Sequence, residues 1–141
     1  MGGCIFCRIV AGEAPAQRLY EDERTLAIMD VNPITRGHVL VIPKAHAADL
    51  FSLGEEDYQA VMRTVRRVGF AAREAFKPDG LNLLQSSGRV AFQVVFHFHV
   101  HVLPRYEGDA LRLRWIPRGA DVHEIDQAAD DLRSAIATIQ V

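Results

Sequence analysis

Short apolar runs separated by polar breaks fill the first 45 residues and the stretch from Leu81 to Leu103. Such runs of about four to eight residues, rich in β-branched side chains and bounded by turn-forming residues, are typical of β-strands. They predict five strands, at Arg18–Tyr20, Thr25–Met29, His38–Pro43, Leu81–Gln85 and Val94–Leu103. A polar turn at 21–23 joins the first two strands, and a loop with Asn-Pro and Gly at 30–37 precedes the third.

Apolar residues at a three-and-four spacing predict two helices. The central helix follows the capping-box pattern Ser52-Leu-Gly-Glu55 and ends before Pro78 and Gly80. Its apolar stripe consists of Tyr58, Val61, Met62, Val65, Val68, Ala72, Ala75 and Phe76. We interpret this stripe as the face that covers the sheet rather than as a partner-binding surface. The second helix is amphipathic and runs from about Val122 to Ile139.

Strands outnumber helices and are not regularly interleaved with them. The pattern therefore predicts an α+β fold, with a mainly antiparallel five-stranded sheet, one long central helix and a C-terminal helix. No repeat, low-complexity segment or linker divides the 141 residues, so we expect one domain.

Composition and charge narrow the function classes. Sixteen basic against eighteen acidic side chains give a formal charge of −2, so no overall positive field favours a nucleic acid partner. No apolar run approaches the roughly 20 residues that cross a membrane, and the first residues do not resemble a secretion signal. Cys4 and Cys7, the only cysteines, are too few for a disulfide scaffold but suit a metal site or a redox pair. We expect a soluble, cytoplasmic protein.

The segment Val95–Leu103 carries the strongest chemical signal. In an extended strand His97, His99 and His101 share one face with Gln93 and Val95, while Phe96, Phe98, Val100 and Val102 share the other. Three of the six histidines at alternate positions, backed by apolar residues, are hard to assign to packing alone. The residues leave two functions open: a metal site of facing imidazoles, or a site where one imidazole is the nucleophile and others handle phosphate charge.

The sequence His97-Phe-His-Val-His-Val-Leu103 resembles the signature of the histidine triad superfamily, in its Hint-like branch. Further segments agree in family order from Cys4 to Arg105: Cys4–Ile9, Asp30–Pro33, Gly37–Lys44, His46, Gln93 and Pro104-Arg105. The resemblance is weak beyond Tyr106. It implies a dimeric single domain with a core at about 4–106 and a C-terminal extension at 107–141.

The resemblance implies hydrolysis at the α-phosphate of a purine nucleoside 5′-phosphoramidate, ester or anhydride, with AMP or GMP as product. His99 would be the nucleophile and form a covalent nucleotidyl-imidazole intermediate, its second ring nitrogen donating to the carbonyl of His97. His101 and His38 would lie against the phosphate oxygens, and Gln93 would donate to the phosphate or leaving group.

Six residues are expected to bind the nucleotide: Asp30, Val31, Ile28, Ser86, Phe92 and Val94. Asp30 would accept hydrogen bonds from the ribose hydroxyls, although an Asp before Val-Asn-Pro could also simply organise the turn. Val31 and Ile28 would form part of an apolar slot for the base.

The resemblance also implies a structural Zn²⁺, held by Cys4, Cys7, His46 and His97, with no coordination position left for water. The alternatives are that both cysteines are buried small side chains on a short helix, or that they form a redox pair. No βαβ unit surrounds them, which disfavours a thioredoxin-like role.

Two positions depart from the family pattern. Phe92 stands where relatives usually have Gly, and Ser86 where they tend to have Asn. We expect Phe92 either to narrow the phosphate loop or to turn outward as part of a dimer surface, and the leaving-group preference to change. Two other functions stay open: a zinc-stabilised nucleotide-binding module with little turnover, and a metal-dependent enzyme that uses all three imidazoles as ligands.

Overall fold

The structure is a computed structural model that describes residues 3–113 and 115–141. The chain divides into two compact units, Met1–Leu111 and Arg112–Val141. The first unit contains helix α1 (Ile5–Val10), strands β1 (Arg18–Glu21), β2 (Thr25–Met29) and β3 (Val39–Pro43), helix α2 (Glu55–Phe76), strand β4 (Gly80–Leu84), a 3-10 turn (Arg89–Ala91) and strand β5 (Val100–Arg105). The second unit contains helix α3 (Val122–Ile136).

The five strands form one antiparallel sheet in the order β1-β2-β3-β5-β4. The predicted α+β class and five-stranded sheet are confirmed. Because side chains alternate along a strand, the sheet has two apolar faces. One face packs against α2 through Val41, Val65, Phe98 and Val102, and the other packs against α1 through Phe6, Ile9, Ile28 and Leu40.

Helix α2 buries the predicted stripe only in part. Val61, Val65, Val68 and Ala72 are buried, whereas Tyr58 and Ala75 are exposed. The predicted capping box is wrong, because the helix begins at Glu55 with Gly54 as its N-cap. Ser52 instead belongs to the preceding turn, where its backbone N–H and hydroxyl both donate to the Asp49 carboxylate.

The predicted strand Val94–Leu103 is the largest error, because β5 begins only at Val100. Before that residue the chain bonds to a loop rather than to a strand: the Phe98 N–H donates to the carbonyl of Ala47 at 2.7 Å. Phe96, predicted to pack with Phe98, is 45% exposed. Alternation nevertheless persists beyond Phe96, since Phe98, Val100 and Val102 all lie in the α2-side core.

Two further differences concern helices. Helix α1 is not among the predicted elements, since a short helix is considered only as an alternative setting for the cysteines, and α3 ends at Ile136 rather than near Ile139. Among the described residues, no helix combines the length and the apolar character that crossing a membrane requires.

Candidate active site

His99 lies just before β5 and is held in one tautomer. Its Nδ1–H donates to the carbonyl oxygen of His97 at 2.7 Å. A carbonyl can only accept, so Nδ1 carries the proton and Nε2 carries a free electron pair. The ring is buried against the edge of Phe6, with ring centroids 5.2 Å apart. Burial lowers the pKa of His99 below its ordinary value of 6.5, so the ring is neutral near pH 7.

His101 and His38 form a hydrogen-bonded pair beside His99. The Ile34 N–H donates to His38 Nδ1 at 3.3 Å, so the His38 proton is on Nε2 and is donated to His101 Nδ1 at 2.8 Å. The proton of His101 is therefore on Nε2. Burial, with smaller contributions from His99 and His38, lowers the pKa of His101 to about 4. Burial also lowers the pKa of His38, against the opposing effect of Asp30.

A cleft of about 570 Å³ opens in front of His99 and His101, within the size range of small-molecule sites. It gathers nine of the predicted catalytic and nucleotide-binding residues, which are Ile28, Asp30, Val31, Ser86, Phe92, Gln93, Val94, His99 and His101. Phe6, Ile9 and Leu40 add apolar walls. His38 is not part of this lining, but it contacts two residues that are: it donates to His101, and its Nε2 lies near the Asp30 carboxylate.

Asp30 has two partners at the mouth of the cleft. Its Oδ1 accepts from the Asn32 N–H at 2.7 Å, which is the turn-organising role considered from the sequence. Its Oδ2 lies 3.4 Å from His38 Nε2. The carboxylate thus both fixes its own loop and lines the cleft.

Gln93 is buried and its amide is fully engaged with the backbone. Its Oε1 accepts from the Gly88 N–H at 2.8 Å, and its Nε2 donates to the carbonyls of Ala48 and Val95. Gln93 therefore holds together the loop that precedes the histidines.

Phe92 adopts the left-handed backbone conformation, with φ 69° and ψ 24°, which glycine tolerates and bulky residues avoid. Its side chain lines the cleft and is 88% exposed, and a place for it in a dimer surface stays a prediction. The aromatic ring thus stands on a backbone conformation that usually favours glycine.

A second cluster lies on the far side of His97. The His97 Nε2–H donates to the carbonyl of Pro43 at 2.8 Å, which leaves an electron pair on Nδ1. That nitrogen lies 3.4 Å from Cys4 Sγ, 3.6 Å from Cys7 Sγ and 3.2 Å from His46 Nδ1, and Cys7 Sγ lies 3.3 Å from His46 Nδ1.

These separations fit a tetrahedral metal ion. Zn²⁺ with two thiolates at about 2.3 Å and two imidazoles at about 2.0 Å brings its ligand atoms to about 3.3–3.8 Å from one another. The four residues could hold one metal ion, and all four positions would be filled by protein. Burial and the neighbouring Cys4 raise the pKa of Cys7, so metal binding would release its proton.

The three triad imidazoles do not meet at one point. Among the described residues, His97 groups with Cys4, Cys7 and His46, while His101 groups with Asp30 and His38. His99 belongs to neither group. The arrangement therefore gives no support to a metal-dependent enzyme with all three imidazoles as ligands.

Comparison with known proteins identifies the family. The profile of the HIT domain matches residues 11–108 of the chain. The chain belongs to the HIT family. The histidine triad resemblance inferred from the sequence is thus confirmed.

Named relatives of this HIT protein include two enzymes. An adenosine 5′-monophosphoramidase from Schizosaccharomyces pombe is 37% identical over 134 residues, covering 94% of this chain and 98% of the relative. An adenylylsulfatase from Arabidopsis thaliana is 38% identical over 135 residues, covering 94% and 67%. A zinc-bound histidine triad family protein from Mycobacterium smegmatis superposes with a TM-score of 0.75 at 45% identity, covering 95% and 98%. These relatives support nucleotide hydrolase activity in general terms.

Sequence reasoning missed the groups that orient the HIT histidines. Phe6 contacts the rings of both His97 and His99 edge-on, and the Pro43 carbonyl fixes the His97 tautomer. One feature of the sequence could have pointed to Phe6, its position as an apolar residue inside Cys-x-x-Cys. No feature of the sequence points to Pro43, because it contributes a backbone atom.

Proposed function

We propose that this HIT protein is a nucleotidyl hydrolase that cleaves purine nucleoside 5′-phosphoramidates, or related nucleotide anhydrides and esters, at the α-phosphate. The observation that carries the proposal is the bond from His99 Nδ1–H to the His97 carbonyl, which leaves an unprotonated Nε2 in a ring that lines a ligand-sized cleft. A neutral imidazole with a fixed tautomer is a competent nucleophile at neutral pH.

The reaction takes place in two displacements. In the first, His99 Nε2 attacks phosphorus, and the amine leaves with the electron pair of the P–N bond and takes a proton from water. In the second, a water molecule attacks the nucleotidyl-histidine, which releases the nucleoside monophosphate and restores the neutral imidazole. Splitting one displacement into two easier ones is the advantage of covalent catalysis.

The other cleft residues bind and stabilise. His101 presents its Nε2–H to a phosphate oxygen, and His38 positions His101 through their 2.8 Å bond. Asp30 accepts from the ribose hydroxyls, while the apolar Ile28 and Val31 contact the purine of an AMP- or GMP-based substrate. These roles are consistent with the phosphoramidase and adenylylsulfatase names of the two relatives.

We also propose one structural Zn²⁺ per chain, held by Cys4, Cys7, His46 and His97. When bound, the ion cross-links α1, the loop after β3 and the segment before β5, and it activates no water because its coordination is complete. Reduced thiols at this site fit a cytoplasmic location.

A homodimer is proposed from the exposed side of α2 and β4. A groove of about 620 Å³ runs between them and is lined by Met62, Phe70, Pro78, Leu81 and Leu83 among others. Because β4 is an edge strand, it is open to a second copy of the chain. In the proposed dimer, β4 and the groove of one copy face β4 and the groove of the other across a two-fold axis.

The deciding experiment uses adenosine 5′-phosphoramidate with the parent and His99→Ala. We expect AMP release by the parent, a mass increase of one adenylyl group on His99 after rapid quenching, and loss of at least about 1,000-fold in kcat/KM in the variant. His123→Ala is the matched control, because it also removes a histidine but changes only helix α3 of the second unit. Full turnover by His99→Ala would refute the proposal.

A nucleotide-binding module with little turnover is the second candidate. The observation in its favour is that the Gln93 amide is bonded to backbone atoms, so it offers the phosphate fewer donors. That function predicts AMP binding in calorimetry without adenylyl-histidine and without AMP release from the phosphoramidate.

A further inference from the structure

Part of the wall of the cleft is formed by exposed apolar side chains. Phe92 and Val94 line it with side chains that are 88% and 86% exposed, so little of the chain covers them. Among the described residues that line the cleft there is no lysine or arginine, and Asp30 is the single carboxylate. This wall is thus suited to an apolar group rather than to a second phosphate.

The apolar wall continues beyond the cleft. A neighbouring cavity of about 390 Å³ is lined by Gly3, Cys4, Ile5, Val94, Val95 and Phe96. It shares Ile5, Val94 and Val95 with the cleft, so the two spaces meet at the same side chains. Apolar side chains therefore line both spaces, Phe92 and Val94 in the cleft and Val94 and Phe96 in the neighbouring cavity.

The backbone at Phe92 supplies an independent observation. A bulky residue at φ 69° costs free energy that glycine would not, and the exposed ring makes up for none of it by burial within the chain. Strain that local packing does not explain points to a role in binding.

We infer that Phe92 and Val94 form a subsite for an apolar leaving group, so that the favoured substrates are nucleoside 5′-phosphoramidates of hydrophobic amines. The inference rests on the proposed function, because it places the amine that departs from phosphorus on this wall. The amine leaves with the P–N electron pair, takes a proton from water and is held by Phe92 and Val94 until it diffuses away. A dinucleoside polyphosphate is a poor substrate, since its leaving group carries several charges and no lysine or arginine among the described lining residues offsets them.

The test is a series of adenosine 5′-phosphoramidates of ethyl-, butyl- and hexylamine, which differ in apolar length but little in basicity. We expect kcat/KM of the parent to rise about two- to fourfold per added methylene, the gain from burying a CH₂ group. In Phe92→Gly and in Val94→Ser the rise should fall below about 1.5-fold per methylene. Phe92→Gly should fold, because glycine accepts this backbone, and Val94 is too exposed for its replacement to disturb the core.

Val90→Ser is the matched control, because Val90 is 97% exposed and does not line the cleft; it should keep the parent's dependence on chain length. Calorimetry of the same series with His99→Ala measures binding to the subsite without the chemical step. The affinity should rise with the chain length of the amine in the same way. If kcat/KM does not change with the chain length of the amine while adenylyl-histidine still forms, the subsite is refuted but the proposed function is not. A dinucleoside polyphosphate cleaved as fast as the hexylamide would do the same. Absence of both turnover and adduct in every substrate would refute the proposed function, and the subsite with it.

Discussion

His97 belongs to both clusters of the site, through its ring and through its backbone. The ring nitrogen Nδ1 faces Cys4, Cys7 and His46, and the carbonyl oxygen of the same residue fixes the tautomer of His99. A shift of His97 therefore moves the hydrogen bond that orients His99, the proposed nucleophile. A metal ion bound at the cluster would thus influence the cleft through His97.

Phe92→Gly should stabilise the protein. Relief of the left-handed conformation gains about 1–2 kcal/mol, and the greater backbone freedom of glycine in the unfolded chain offsets about 0.5–1 kcal/mol. We expect a net gain of about 0.5–1 kcal/mol in the free energy of unfolding, measured in urea. A loss of stability would contradict the strain assigned to φ 69°.

His101 should make stability depend on pH. Its pKa is about 4 in the folded protein and 6.5 when exposed, so the unfolded chain takes up the proton first as the pH falls. The free energy of unfolding is therefore unaffected by the titration of His101 above pH 6.5. It falls by about 2–3 kcal/mol as the pH is lowered from 6.5 to 4. Urea unfolding of the parent and of His101→Gln at several pH values measures this effect, since the other histidines are common to both. Equal pH dependence of the free energy of unfolding in the two proteins would contradict the prediction.

The segment before β5, which carries the proposed nucleophile, departs from a regular strand. Residues 93–99 bond to loops through Gln93 and through the Phe98 N–H, and only from Val100 does the chain join β3 and β4. The irregular path turns the His97 ring toward α1 and sets its carbonyl within reach of His99.

The loop between β2 and β3 is fixed by its contact with the end of α2. Gly37 has φ 86°, and a Cβ placed there would overlap the Phe76 ring. We expect Gly37→Ala to lower the free energy of unfolding by about 2–4 kcal/mol, from backbone strain plus overpacking. Gly12→Ala is the control: Gly12 has φ 78° with open space around it, so strain alone should cost about 1–2 kcal/mol. Equal losses in the two variants would show that the Phe76 contact is unimportant.

Metal removal should loosen the whole first unit. The four ligands come from positions as far as 93 residues apart, so one ion would restrain three distant segments. We expect a chelator to lower the free energy of unfolding by about 3 kcal/mol or more and the Tm by about 10 °C. Cys7→Ser should bind less than one equivalent of zinc and respond little to the chelator. A parent that contains zinc yet keeps its Tm after chelation would contradict a structural role.

The dimer prediction concerns one edge of the sheet. Leu83 on β4 is 50% exposed and lines the groove beside α2, whereas Leu19 on β1, at the opposite edge, is 51% exposed. In sedimentation equilibrium we expect the parent at twice its chain mass of 15.7 kDa, Leu83→Lys near the chain mass, and Leu19→Lys unchanged. A monomeric parent, or a dimeric Leu83→Lys, would reject this interface.

The sequence was most informative where a local pattern controls the result. Strands β2 and β3 and helix α2 were predicted to within three residues, because apolar periodicity and Pro or Gly breakers act over a few neighbours. The family motifs also gave the composition of both clusters. The capping box and the long final strand were wrong because their outcome depends on distant partners, namely the Asp49 turn around Ser52 and the Ala47 carbonyl that binds Phe98.

The sequence by itself determined which residue types are available: alternating imidazoles with an apolar face behind them, a Cys-x-x-Cys pair, and enough periodic apolar surface for a sheet covered by helices. The family resemblance implied how the imidazoles divide, with His97 at the thiols, His99 as the nucleophile and His101 with His38 at the phosphate. Only the tertiary structure decided which further groups hold these rings: the carbonyl of Pro43 accepts from His97 Nε2–H, and the N–H of Ile34 donates to His38 Nδ1, so that His38 donates to His101. These backbone groups have no signature in the residue pattern, because their positions are set only when distant parts of the chain fold together.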